Sequence, residues 1–366
     1  MGEKLVVRKT PDGRRVELQR DGQAVSWADL VYRRLRLGCA VLKTGGVANV
    51  GTKPQERRKG YGRRVINHGL KVMTADGLDI SLLFGIKHFY DRFGFRSALS
   101  EYEILLPGRA VAHWPVGLAV RRLSAEEEVL TLPLYRRYLR RAALDLERHA
   151  GRWRGFVVGV DWRERPRVLG FFRGRRLAGY LVCDDSRENV QVSELEVSRS
   201  EDLPALLAWL GRQCRRRVAE NIMLCYPPDQ PAARLALELG ATLQRRTFAS
   251  GDGMMRILNL QSTIDALAPE LAARWAAAQQ PRGLLLALRT DMGEARLRLR
   301  PGRRGAATWR GRMRIPQDRL VQLVTGYLRP DALAARPGVR IPRSLLPALE
   351  VLFPERQSFI LRTNRF

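Results

Sequence analysis

The sequence predicts a mixed α/β (α+β) protein of more than one domain, on three observations. Hydrophobic side chains come in short strand-like runs over the first fifty residues, then recur at Ile66, Leu70 and Met73, the period of a helix. A similar order of elements returns in the middle of the chain. Finally, 366 residues exceed one ordinary core and suit two or three domains.

Element by element, "KLVVRKT", "RRVELQRDG", "QAVSWADLVYRRL" and "GGVANVGT" read as strands broken at Pro11-Asp12-Gly13 and Asp21-Gly22-Gln23, which builds an antiparallel sheet. An amphipathic helix follows from Gly60 to Thr74, with Gly77 as its stop. The continuous apolar run "LDISLLFG" predicts a buried strand, and "IKHFYDRF" a short helix closed by Gly94 and Phe95. The glycines of "RRKGYG" allow tight curvature, so consecutive amides from Arg58 to Gly62 can face one point at the mouth of the helix. Such a concavity, with the helix N-terminus behind it, suits a diphosphate. The dinucleotide fingerprint fails, because Val65 stands where its third glycine belongs, and the P-loop pattern is absent.

Composition narrows the class. With 45% hydrophobic and 28% charged residues, and no apolar run of membrane-spanning length, a soluble, cytoplasmic protein is expected, with no membrane partner. "MGEKLVVRKT" lacks a secretory apolar block, and Val6 stands where N-myristoylation needs Ser or Thr. Cys39, Cys183, Cys214 and Cys225 have no CxxC spacing, so buried free thiols are expected, with neither metal nor disulfide. The net charge of +28 invites a nucleic-acid reading. Yet the arginines are spread through "YRRLRL", "YRRYLRR", "CRRRV" and "RLRLRPGRRG" with no nucleic-acid motif beside them, so nucleic acid is not the expected partner. An acidic coenzyme would enjoy the same field.

The stretch "GGVANVGTKPQERRKGYGRRV...SLLFGIKHFYDRFGFR" resembles the Gcn5-related N-acetyltransferase (GNAT) superfamily in two signatures. Val50, Thr52, Pro54, Arg57, Gly60 and Gly62 match V-x-T-x-P-x-x-R-x-x-G-x-G, and Phe89 to Phe95 match F-Y-x-R-F-G-F. The resemblance implies acetyl-CoA as co-substrate. Its pantetheine arm would pair with the strand ending Val50-Gly51-Thr52. Its pyrophosphate would lie on the amides of Arg58, Lys59, Gly60, Tyr61, Gly62 and Arg63, and Gly85-Ile86 would touch it too. Lys59 or Arg63 could pair with the other phosphates. Tyr90, without the motif, would read as a core aromatic; with it, its phenol is the general acid for the leaving thiolate. His88 is the rival titratable group, but its offset of two from Tyr90 aims it elsewhere.

The middle region repeats the fold without the site. A helix begins with a capping box at Ser124 and Glu127, and strands "RVLGFF", "RRLAGYLV" and "VQVSELEV" precede a helix, the strand "NIMLCYP", the helix "PAARLALELG" and a final strand. "SRSEDLP" replaces the glycine loop, Glu201 and Asp202 would repel a pyrophosphate, and Ala236 stands where Tyr90 was, so this copy is expected to be structural. From Met254 a third segment shows a helix, three strands and two more helices. It resembles the sterol-carrier-protein-like domain of the enhanced intracellular survival (Eis) acetyltransferases. Two tandem GNAT folds (residues 1–107 and 108–253) and this domain (254–366) are the expected plan.

In Eis enzymes the last residue is aromatic and its terminal carboxylate serves as the base; this sequence ends in Phe366 behind Phe359, Ile360 and Leu361. One departure is plain: the family's two helices between the first two strands, a wall of the acceptor pocket, are here only a turn. The expected activity is transfer of acetyl to a primary amine, whether aminoglycoside, lysine side chain or polyamine, with small-molecule or peptide partners and a homo-oligomer. A non-catalytic module binding coenzyme, lipid or nucleic acid is the alternative.

Overall fold

A computed structural model describes residues 2–151, 153–157, 165–184, 189–300 and 307–366. The chain begins with β1 (Glu3–Thr10), β2 (Gly13–Arg20), β3 (Gln23–Leu37), β4 (Ala40–Thr52), α1 (Tyr61–Ala75), β5 (Ile80–Gly85) and β6 (Arg96–Ser97). Next come β7 (Glu101–Pro107), β8 (Ala119–Arg122), α2 (Leu132–Arg141), β9 (Asp145–Leu146), β10 (Arg167–Arg173), β11 (Arg176–Asp184), β12 (Val190–Val197), α3 (Leu203–Arg217), β13 (Asn221–Leu224), α4 (Pro231–Glu238) and β14 (Thr242–Arg246). The last part holds β15 (Asp252–Ile257), α5 (Leu260–Ala277), β16 (Gly283–Thr290), β17 (Gly293–Leu299), β18 (Thr308–Arg314), α6 (Gln317–Val324), α7 (Pro330–Ala334) and α8 (Leu346–Leu352).

Two compact units result. One comprises Met1–Leu99, Phe248–Ser358 and Phe366, the other Ser100–Thr247 and Phe359–Arg365. They differ from the expected division at 107 and 253. Strand β7, expected to close the first domain, pairs with β13 and β14 in the second unit, where Tyr102, Ile104 and Leu106 are buried. Strand β15, expected to open the third, pairs with β5 and β6 in the first unit. Alternating burial makes a strand but does not name the sheet that takes it.

In the first unit the sheet order is β1-β2-β3-β4-β5-β15-β6. The β1–β2 connection is the tight turn after Thr10, paired with Gly13, so no helix intervenes, as the sequence implies. Helix α1 lays Val65, Ile66, Gly69, Leu70 and Met73 on the sheet, meeting Val16, Leu18 and Leu30. A Cβ at Gly69 would lie 3.1 Å from Leu30 Cδ2, so the helix packs close. A smaller sheet, β17-β16-β18, turns Leu284, Leu286, Leu288, Leu297 and Met313 inward, with α5 packed against β17.

The segment "IKHFYDRF" departs from expectation. His88 takes φ 60°, and only Asp91–Phe93 form a single 3₁₀ turn, closed by Gly94 at φ 76°. A left-handed residue inside the run stops a regular helix. Cys39 is exposed, not buried as expected, because it sits in the β3–β4 turn, whereas Cys183, Cys214 and Cys225 are buried.

The second unit's sheet has the order β14-β7-β13-β12-β11-β10-β8. The capping box is made in full: Ser124 N–H donates to Glu127 Oε2 at 3.1 Å, and Glu127 N–H to Ser124 Oγ at 3.3 Å. It caps the 3₁₀ turn Glu127–Thr131 that leads into α2. No helix among the described residues is long and apolar enough to cross a membrane.

Candidate active site

Strands β4 and β5 run parallel and pair only through Thr44–Ile80, Gly45–Ser81 and Gly46–Leu82. Beyond Gly46 they part, while β5 stays held on its other edge by β15 up to Gly85. The main chain from Val47 to Thr52 therefore faces a wedge. A bulge helps to open it: three steps along β4, Ala48 to Gly51, answer two along β3, Asp29 to Trp27, and Asn49 takes φ 45°. No residue pattern marks this bulge, which follows from the β3 register. Gly51 is obligatory for another reason, since a Cβ there would lie 2.5 Å from Trp27 Cζ2.

The loop after Thr52 turns twice before the helix begins. Pro54–Glu56 form a 3₁₀ turn, Arg58 takes φ 64°, and Gly60, at φ 77°, is the residue from which α1 starts. No atom lies within 4 Å of a Cβ placed on Gly60, so glycine is needed there for its dihedral and not for space. At Gly62 a Cβ would touch only Thr52 Oγ1, at 3.7 Å. The first intrahelical bond is Arg64 N–H to Gly60 O, and among the described residues the amides from Arg58 to Arg63 have no acceptor. They are the orphan donors of a helix start, joined to those of the turn before it.

Side chains in this loop divide. Lys59 Nζ donates to Glu56 Oε2 at 2.9 Å, and Arg64 pairs with Glu3. Tyr61 is buried and donates to Glu3 Oε1 at 2.5 Å, so only its main chain is available. Arg58 and Arg63 are exposed and, among the described residues, have no partner. Of the two cations expected to reach further phosphates, Arg63 is the free one.

Tyr90 immediately precedes the 3₁₀ turn, half-buried, its ring over Gly85: a Cβ there would lie 2.5 Å from Tyr90 Cδ2. Phe89, Phe93 and Phe95 surround it, with ring centroids 4.8, 6.4 and 6.2 Å away. Burial raises the phenol's pKa above its ordinary range, so it is a proton donor at neutral pH. Two groups that sequence reasoning missed hold its loop. Ser250 Oγ accepts from His88 N–H at 2.8 Å and donates to Asp91 Oδ2 at 2.6 Å. His88 itself is exposed, as is Ile86 at 69%, an apolar side chain left bare at the end of β5.

Phe366 lies on the other side of the same strands. A Cβ at Gly46 would fall 2.0 Å from Phe366 Cε2, and the Phe84 and Phe366 rings meet edge to face with centroids 6.5 Å apart. Successive strand residues face opposite ways, so Tyr90 over Gly85 and Phe366 beside Phe84 approach β5 from opposite faces. No sequence motif marks Gly46 as a seat for that ring.

The second unit repeats the parting and fills it. Strands β12 and β13 pair in parallel through Val192–Leu224 and then separate. There Tyr226 Oη accepts from Leu195 N–H. Glu194 accepts from Tyr180 Oη, from Thr363 Oγ1, and from Arg148 through two bonds of 2.8 and 2.7 Å. Asn364 donates to Asp145 Oδ1 at 2.7 Å, and Leu361 N–H to Asp145 Oδ2 at 3.1 Å. Residues 361–364 thus occupy this unit's polar interior. Asp202, at the entrance of α3, is buried and takes a bond from Arg173 at 2.6 Å, so the loop that would cradle phosphate carries an anion of its own.

An acetyltransferase (GNAT) domain family matches residues 4–98. No curated protein matches the chain in sequence. Solved structures do match it in fold. A GCN5-related N-acetyltransferase from Anabaena variabilis has TM-score 0.71 at 16% identity, over 96% of this chain and 89% of its own. Another from Kribbella flavida has TM-score 0.70 at 18% identity, over 97% and 88%. Eis1 from Mycobacterium abscessus has TM-score 0.64 at 17% identity, over 97% and 90%. At these identities the likeness is one of fold. Residues 4–98 match the acetyltransferase (GNAT) domain family, within a chain that shares its fold, over nearly its whole length, with solved GCN5-related N-acetyltransferases.

Proposed function

We propose that the chain transfers acetyl from acetyl-CoA to a primary amine, with Tyr90 as acid and the carboxylate of Phe366 as base. The observation that carries this is the wedge of the first unit: open main chain on β4, Tyr90 over Gly85 on one face and Phe366 against Gly46 on the other. Free amides from Arg58 to Arg63 fit a pyrophosphate, and the bare Ile86 side chain fits an apolar arm beside it. Acetyl-CoA supplies the activated acyl group. The amine nitrogen bonds to the thioester carbonyl carbon and the C–S bond breaks. Tyr90 Oη gives its proton to the departing thiolate, and the amine's proton passes, through a water, to the Phe366 carboxylate. The segment from Met254 is our candidate for a sterol-carrier-protein-like domain, on its order of elements alone.

The acceptor is a primary amine, and the β1–β2 turn leaves the acceptor side without the helical wall expected of the family. The test is acetyl transfer to a panel of an aminoglycoside, a lysine peptide and a polyamine, with Tyr90→Phe alongside. Loss of the phenol should lower kcat about 10²- to 10⁴-fold with coenzyme binding intact. Coenzyme binding without turnover of any amine would instead make this a non-catalytic module.

A further inference from the structure

The face of the sheet β17-β16-β18 that looks away from α5 is dominated by arginine. Alternation along β17 puts Ala295, Leu297 and Leu299 inside and Glu294, Arg296 and Arg298 outside. Along β18 it puts Met313 inside and Arg310, Arg312 and Arg314 outside. Central strand β16 contributes Leu285, Ala287 and Arg289 to the outer face. The register joins these into rows: Leu285 lies between Arg298 and Arg310, Ala287 between Arg296 and Arg312, and Arg289 between Glu294 and Arg314. Two lines of arginine therefore flank a small apolar trough. They stand about 10 Å apart, two strand spacings, and repeat about every 7 Å along each strand.

Little inside the chain answers this charge. Glu294 is the one carboxylate among the strand residues of that face, 4.0 Å from Arg289. Among the described residues, Arg296, Arg298, Arg310, Arg312 and Arg314 have no ion-pair partner, and all five are exposed. Beside them, Arg340 pairs across from Arg314, and Arg289, Arg312, Arg314 and Arg340, together with Met313, Ile341 and Pro342, line a shallow cavity of about 520 Å³. Keeping like charges this close costs folding energy unless an anion is met, and guanidinium groups suit phosphate oxygens by their forked geometry.

We propose that this face binds the phosphodiester backbone of duplex nucleic acid, without reading bases. The chemistry favours that occupant over two others. Among the described residues no aromatic side chain stands on the outer face, since Trp309 belongs to the inward set, so no ring there stacks on the bases of a single strand. Nor do its strands carry on that face the aromatic groups that seat a protein in a lipid interface: their outward apolar side chains are Leu285 and Ala287, with Ile341 and Pro342 beside β18. What remains is charge placed for phosphates, a recognition that is sequence-independent and strongly salt-dependent. In the sequence these arginines lie in separate runs; the sheet gathers them.

The experiment is fluorescence anisotropy of the full chain with labelled duplex DNA and duplex RNA, across a salt series. A variant with Arg296, Arg298, Arg310 and Arg312 changed to Gln is compared with one of equal charge, Arg136, Arg140, Arg215 and Arg216 to Gln. The face variant should bind about 100-fold more weakly, its log K against log[salt] slope flattened by about 3 to 4. The control should stay within a few-fold of the parent, and the fourfold Arg→Lys face variant should keep most of the affinity, which separates lost charge from lost folding. Equal weakening of both Gln variants would overturn the proposal in favour of diffuse charge. Tighter binding to a single strand of the same length would also overturn it. So would binding to vesicles of 30% phosphatidylserine in phosphatidylcholine with no binding to duplex.

Discussion

Gly46 lacks a side chain where an aromatic ring needs the room. Replacing it with alanine would put a Cβ 2.0 Å from Phe366 Cε2, so the ring must move while the strand pairing around it stays. If the chain's last residue supplies the base, Gly46→Ala should lower kcat about 10- to 100-fold, because small displacements of a reacting group are costly. Coenzyme affinity should be unchanged, as steady-state kinetics beside calorimetric titration would show. An unaltered kcat would remove Phe366 from the mechanism. Tyr90 carries a related expectation. Burial raises its pKa, so its proton is retained through neutral and mildly alkaline pH, and the wild-type rate profile should show no alkaline limb from this group across that range. At this scale the sequence was informative wherever a residue answers to its own backbone, as Gly60 does with φ 77°, and silent wherever it answers to a distant atom, as Gly46 and Gly51 do.

Strand β12 shows what became of the second wedge. It carries Glu194 and Glu196, both buried, and Glu196 is held at 2.6 Å by Arg141. Burial pushes the Glu196 carboxyl up to about 7, with Arg141 opposing. A carboxyl raised in the folded state binds its proton more tightly there than in the unfolded chain. Its contribution is therefore favourable in acid and lost as pH rises from about 4.5 to 7. Glu196→Gln keeps the shape and removes the titration. Its unfolding free energy relative to the parent should improve by about 2 to 3 kcal/mol between pH 5 and pH 8, measured by denaturant melts. A difference independent of pH would mean that Glu196 is not desolvated. The elements were largely legible: α1, β5 and the second run of strands and helices fall where periodicity put them. The Tyr90 turn was not, because His88 adopts a left-handed conformation that Ser250, far along the chain, helps to fix through its N–H. Nor was the filling of the second wedge, which depends on residues 361–364 meeting Asp145 and Glu194.

On the scale of the molecule, the boundaries of the compact units diverge most from a linear reading. Strand β5 is paired along its full length by β15, which the sequence order places in a later segment. A fragment ending near residue 98, where the acetyltransferase domain match stops, would leave that edge of β5 bare along Ile80 to Gly85. An uncovered edge with Leu82 and Leu83 on it is a template for self-pairing. Such a fragment should aggregate on expression, while the full chain remains dispersed, as size-exclusion chromatography would show. A monodisperse, cooperatively melting fragment would mean that β15 is dispensable.

The same pairing has a consequence during synthesis. The ribosome delivers the glycine loop, Tyr90 and the strands that frame them early, yet the sheet that holds them cannot close until Ile257 has been made. At about 5 to 20 residues per second, the nascent N-terminal region waits many seconds with an open flank. Its exposure to chaperones, and to other chains on the same messenger, is set by where β15 lies in the gene.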